Sequence, residues 1–230
     1  MDEQMQQQMM PPPPPIGSTI RKMQSRNLLQ PLKFEGILDW EECEWLIDFF
    51  NQNEEAHEQA GIGSGAYSTV DEKIRKAKVF RPQLHELWEL NPNIMQKLQY
   101  FCSEVNDNNF GYDINVMSQI DILEYEPDGH YRWHNDSGDV VTDAMCRKLT
   151  FTFELSDSDD YEGGQLMLGK SYLEGLQDGK TEEDMLQSLE EQKEQGTCVV
   201  FSSFMEHKVY PLTEGKRYAM VIWMNGPGWV

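Results

Sequence analysis

Two of the chain's five histidines, His130 and His134, fall in one acid-rich stretch running from Tyr125 to Asp136. In His134-x-Asp136 the two residues are two apart, so on a strand they point to the same face and an imidazole and a carboxylate can share one metal ion. Two ligands make a weak site. A third from a neighbouring strand would complete a two-histidine, one-carboxylate facial set, which leaves coordination positions open and suits non-haem Fe(II). His207 is the candidate, because it follows the apolar run Cys198-Val199-Val200-Phe201, which reads as a strand. Alone, an H-x-D pair is too common to assign a metal, so its surroundings matter. Arg217 lies ten residues beyond His207, in a strand-like run with Tyr218 and Val221. A buried arginine is costly unless it meets an anion, and its planar fork matches a carboxylate bidentately. A metal with open positions and a buried arginine nearby describe a receptor for a 2-oxo dicarboxylate.

The elements that must position these groups change character along the chain. Asp39 precedes an acidic first turn and apolar residues at Cys43, Leu46, Ile47 and Phe50, which predicts a capped amphipathic helix. A second helix is expected over 91–107, with Ile94, Met95, Leu98, Phe101, Cys102 and Val105 on one stripe. From about residue 113 strands take over. Lys148 to Leu155 alternates strictly, with Leu149, Phe151, Phe153 and Leu155 on one face. Further strands are expected at 115–124, 165–168, 197–201, 207–210 and 217–224, and many short strands with Gly/Asp turns predict a sandwich or barrel. Thr181-Glu182-Glu183-Asp184 resembles a capping box, so a helical excursion over about 170–195 is expected to interrupt the strands, with Met185, Leu186 and Leu189 packed on the barrel.

Taken in order, these segments resemble the Fe(II)/2-oxoglutarate-dependent dioxygenases, in particular the prolyl 4-hydroxylase-like branch with its PKHD-type hydroxylases. The resemblance covers about residues 33–229. It rests on Gly36 to Cys43, Tyr125 to Asp136, Arg147 to Thr150, Asp160 to Leu166, Gly196 to Phe201, His207, Gly215 to Ala219, and Trp223. It implies a mainly β fold, a double-stranded β-helix (jelly roll, cupin-like) backed by N-terminal helices. It implies that His134, Asp136 and His207 bind Fe(II), that Arg217 pairs with the distal carboxylate of 2-oxoglutarate, and that Tyr125 contacts this cosubstrate. The implied reaction uses O2, releases succinate and CO2, and hydroxylates a C–H bond, most naturally of a prolyl or lysyl side chain in a peptide or protein, with ascorbate as reductant. Where better-studied prolyl hydroxylases carry a cosubstrate-binding tyrosine, this chain has Glu154, which leaves that contact open.

Composition sets the outer bounds. The chain has 230 residues, with 19 Lys and Arg against 40 Asp and Glu for a formal charge of −21. Such a surface repels phosphate backbones and anionic membranes, so neither nucleic acid nor membrane is an expected partner. No secretory signal or membrane-length apolar run is legible, which predicts a cytoplasmic protein. The four cysteines show no metal-type spacing and read as buried thiols. Residues 1–30 read as a Gln/Met/Pro-rich disordered tail, with the catalytic domain over 31–230 and its jelly-roll core from about 112. The competing readings are a non-catalytic jelly-roll binding or scaffold protein, and a related oxygenase acting on nucleic-acid bases or a small molecule.

Overall fold

A computed structural model describes residues 28–62, 69–114, 116–137, 146–190 and 193–228. The expected tail over 1–30 lies outside them except for its last three residues. Asp39 caps helix α1 (Trp40–Gln52) in a reciprocal box. Its carboxylate accepts from the Glu42 N–H, and the Glu42 carboxylate accepts from the Asp39 N–H, each at 2.9 Å. The short helix α2 (Leu84–Leu90) precedes α3 (Pro92–Val105), which begins with proline at its first position and buries Ile94, Met95, Leu98, Cys102 and Val105. That is the stripe read from the sequence.

Strands β1 (Leu32–Phe34), β2 (Glu58–Gln59), β3 (Arg75–Lys76) and β4 (Lys78–Phe80) come from the helical half. The strand-rich half supplies β5 (Val116–Tyr125), β6 (His130–His134), β7 (Cys146–Glu154), β8 (Tyr161–Gly163) and β9 (Leu166–Leu168). It continues with β10 (Cys198–Ser202), β11 (His207–Val209), β12 (Leu212–Gly215) and β13 (Arg217–Gly226). The described strands form a seven-stranded sheet in the order β1-β10-β7-β13-β5-β4-β2, a four-stranded sheet β3-β6-β11-β9 and a pair β12-β8. All their pairings are antiparallel. This is the jelly-roll architecture of a double-stranded β-helix, with helices on one side.

The large sheet buries both faces. On one, Leu149, Phe151, Phe153, Met220 and Ile222 are fully buried and join Leu46, Phe50, Leu98 and Cys102 of the helices in the main core. On the other, Val221, Trp223, Leu123 and Tyr125 meet Tyr161, Val209 and Leu212 from the smaller sheets. The joint between α1 and β10 depends on Gly196 at φ +77°, whose carbonyl accepts from Ile37 and Leu38 at 3.0 and 3.2 Å. A Cβ there would stand 1.9 Å from the Leu38 oxygen, so only glycine fits.

The excursion between strands holds two helices, α4 (Gly169–Gln177) and α5 (Glu182–Glu190), where the sequence reading expected one. The Thr181–Asp184 cap starts α5 as expected. Met185, however, seats against Gly175 of α4, where an added Cβ would meet its sulfur at 2.2 Å, rather than simply covering the barrel. The two glycines in α4 weaken its helical signature, which is why it was not legible.

Candidate metal centre

Strands β6 and β11 pair so that His134 stands directly opposite His207. Their rings lie 4.0 Å apart, and Asp136 completes a cluster whose candidate ligand atoms all fall within 4.8 Å of one another. His134 Nε2 is 3.7 Å from Asp136 Oδ1, and His207 Nε2 is 3.6 Å from Asp136 Oδ2. Each ring is tied through its other nitrogen to the main chain two residues upstream: His134 Nδ1 donates to the Arg132 carbonyl at 2.8 Å and His207 Nδ1 to the Met205 carbonyl at 3.0 Å. That fixes the tautomer and turns both Nε2 lone pairs inward, the usual support for metal-binding histidines. Burial, reinforced by His207, pushes His134 down to about 3, so its ring is neutral and available as a ligand near neutral pH.

Asp136 is held from two sides. Its backbone N–H donates to the Ser203 carbonyl at 2.7 Å, and the Thr150 hydroxyl donates to its Oδ2 at 2.8 Å. Thr150 and Ser203 are themselves hydroxyl partners at 3.0 Å. Burial disfavours the carboxylate's charge, but the two histidines prevail and hold it below the ordinary aspartate range. Two imidazoles and one anionic oxygen converging on one point fit a divalent iron ion.

Arg217 lies at the far end of the same interior. It is 3% exposed, stands opposite Tyr125 on β5, and lies 5.4 Å from the centre of that ring. Tyr125 is 2% exposed. Arg217 already has an anion: its Nε and Nη2 both reach Glu154 Oε2, at 2.9 and 2.8 Å. Next to this pair is a cavity of about 240 Å³ whose lining includes Arg217, Glu154, Thr152, Tyr161, Thr197 and Leu189. None of the three candidate metal ligands lines it, so the arginine and the metal cluster occupy adjoining compartments. Gly164 lies on the arginine itself; a Cβ there would come within 3.0 Å of Arg217 Cδ.

Residues 120–225 match the 2OG-Fe(II) oxygenase superfamily. This segment belongs to that superfamily. A PKHD-type hydroxylase of Maricaulis maris is 32% identical over 110 residues, 48% of this chain and 43% of that relative. Another from Crocosphaera subtropica is 25% identical over 195 residues, 84% of this chain and 78% of that protein. The chain thus matches less than half the length of the Maricaulis protein. Among solved structures, a Trichoplax adhaerens prolyl hydroxylase in complex with a hypoxia-inducible factor peptide superposes with a TM-score of 0.59 at 16% identity, covering 84% of this chain and 82% of that one. At that identity the likeness speaks for the fold.

Several polar groups around this interior escaped the sequence reading. Thr150 was one, although the alternation of β7 already placed it opposite Leu149 and Phe151. Arg147 stacks over Trp223 at 3.7 Å, and Arg75 over Tyr131 at 4.5 Å; both act electrostatically on this interior. Tyr131 in turn stacks on His134 with centroids 3.4 Å apart, so it packs against the metal cluster. Trp133 is partly exposed and meets Tyr172 of α4 edge-on at 5.6 Å. Arg75 offered no signal, because nothing in its local sequence says that β3 pairs with β6, which carries His134.

Proposed function

We propose that the chain is an Fe(II)- and 2-oxoglutarate-dependent hydroxylase, with His134, Asp136 and His207 holding the iron. The convergence of two inward-turned Nε2 atoms and the Asp136 carboxylate carries this reading. With iron, 2-oxoglutarate and O2 bound, the chemistry supplied is R–H + 2-oxoglutarate + O2 → R–OH + succinate + CO2.

The protein's own part is positional. The Arg132 and Met205 carbonyls hold the imidazoles, and Thr150 steadies Asp136. Arg217 binds the distal carboxylate of 2-oxoglutarate in the adjoining cavity, with Tyr125 beside it. The apolar lining from Leu166, Met167 and Leu168 excludes water along the way. Trp133 and Tyr172 form a partly aromatic surface next to His134, and the charge of −21 favours a neutral or basic partner over nucleic acid. We therefore assign a prolyl or lysyl side chain of a peptide or protein as the substrate class, with ascorbate as external reductant and the cytoplasm as the setting. No helix among the described residues is long and apolar enough to cross a membrane.

Succinate release from purified protein given Fe(II), O2 and 2-oxoglutarate tests the reading. Arg217→Lys keeps the charge but loses the fork, so KM for 2-oxoglutarate should rise by about tenfold or more. Absence of any succinate, with iron bound, would favour a non-catalytic jelly roll.

A further inference from the structure

The arginine assigned to the cosubstrate is already neutralised by Glu154, and the consequences go beyond that assignment while resting on it. Glu154 Oε2 takes both guanidinium contacts. Its Oε1, the Tyr161 hydroxyl and the Thr197 hydroxyl are buried without a hydrogen-bond partner. All three residues line the cavity. Tyr161 stands close enough to both Glu154 and Arg217 to influence their charge. Buried polar atoms left unpaired around a cavity mark a place where a polar ligand completes the bonding. The two hydroxyls and the guanidinium are donors suited to a carboxylate. Glu154 is the misfit, since an incoming carboxylate would make two anions beside one cation.

The charged surroundings do not relieve this. Around Glu154 stand Arg217 on β13, Tyr125 on β5, Tyr161 on β8, Lys193 and Glu194 ahead of β10, and Lys33 on β1. Lys33 pairs with Glu35 at 3.0 Å. Lys193 lies over the Tyr161 ring at 3.9 Å, next to the exposed Glu194. Arg217 and Glu154 are in direct contact in the interior and their charges sum to zero, while Lys193 acts on Glu154 only through space from its place over the Tyr161 ring. Adding a carboxylate leaves one uncompensated buried negative charge, which is strongly unfavourable. Two carboxylates at one site settle this by sharing a proton.

We infer that the cavity takes the distal carboxylate of 2-oxoglutarate together with one proton, held on Glu154, so that Arg217 bridges a carboxylate and a carboxylic acid. The proton comes from solvent and no covalent bond changes. Oε1 or Oε2 of Glu154 then becomes a donor, and the arginine keeps its fork for the ligand. Burial, opposed by Arg217, already holds the Glu154 carboxyl above the ordinary glutamate range, which agrees with this arrangement.

The test is titration calorimetry of 2-oxoglutarate into Mn(II)-loaded protein, which binds but does not turn over. It is run in two buffers of different ionisation enthalpy and from about pH 6 to about pH 9. In the upper part of that range, uptake should approach one proton per ligand, and affinity should fall by about tenfold per pH unit. Glu154→Gln, which keeps the shape and stays neutral, should bind more tightly at the alkaline end, lose the pH slope and take up no proton. Binding without proton uptake, or with the same uptake in Glu154→Gln, overturns the inference and leaves the hydroxylase reading standing. Failure of both proteins to bind 2-oxoglutarate overturns that reading and this inference with it.

Discussion

On the helix side of β7, Leu149, Phe151 and Phe153 are wholly buried in a core of aliphatic and aromatic side chains and the thiols of Cys43, Cys102 and Cys198. On the opposite side of the same strand, Thr150 reaches Asp136 while Thr152 and Glu154 line the cavity, and Glu154 holds Arg217. Four residues of strand carry this polar face about 13 Å, from the metal cluster to the arginine. Because strand side chains alternate, one segment supplies cohesion to one side and chemistry to the other without either intruding. Substitutions on the two faces should therefore fail in different ways.

The widest separation is expected from Asp136→Ala. It removes the only anionic ligand, so iron should no longer bind stoichiometrically and turnover should fall by about a thousandfold or more, while unfolding free energy changes by no more than about 2 kcal/mol. Metal analysis, succinate release and denaturant unfolding of one preparation read all three. A large loss of fold would show that the polar face also carries cohesion. Phe153→Ala is the mirror experiment. It should cost about 3–5 kcal/mol in denaturant unfolding and leave the iron affinity of the folded protein within about threefold. A collapse of iron affinity at a temperature where the variant is folded would mean that the two faces are coupled through the strand.

Acidification sharpens the contrast from the polar side. His134 is neutral in the fold down to about 3, whereas its ordinary value is 6.5, so between these limits the unfolded chain binds a proton that the metal-free fold does not. Stability should thus be unaffected by His134 above about pH 6.5 and fall below it, by up to about 1.4 kcal/mol per pH unit. His134→Gln should flatten that slope in pH-dependent unfolding of the metal-free protein; an unchanged slope would place its origin elsewhere. The smallest effect is expected far from both faces. Asp39→Ala removes the α1 cap and should cost about 1 kcal/mol in unfolding with no change in iron binding.

These contrasts also show why some of the molecule was legible in its sequence and some was not. The apolar face of β7 is a period-two pattern, and the α1 and α3 stripes are periodic too, so local sequence carried them. His134 and Asp136 were legible as candidate ligands because they stand two residues apart, although β6 ends at His134 and Asp136 follows in a bend held by Ser203. His207 and Arg217 followed from their positions on predicted strands, and the structure brings His207 directly opposite His134. What local sequence could not carry was pairing between distant segments. Nothing near Arg75 announces that β3 lies on β6, and nothing near Glu154 announces that its partner is Arg217, sixty-three residues away. The two-helix excursion was half legible for a related reason: α5 has a cap and a stripe, whereas α4 gives up a position in its last turn, Gly175, to accommodate Met185.

The imidazole tethers have a consequence for how such a protein is assembled. Both rings are aimed by main-chain carbonyls two residues upstream, Arg132 on β6 and Met205 in the bend before β11, and Asp136 and Ser137 are both anchored through their N–H groups to the Ser203 carbonyl. None of these attachments uses a metal–ligand bond. If the proposed iron binds there, its candidate ligands are already aimed by hydrogen bonds, so removing the ion or exchanging it for another divalent metal should leave the strand pairing unchanged.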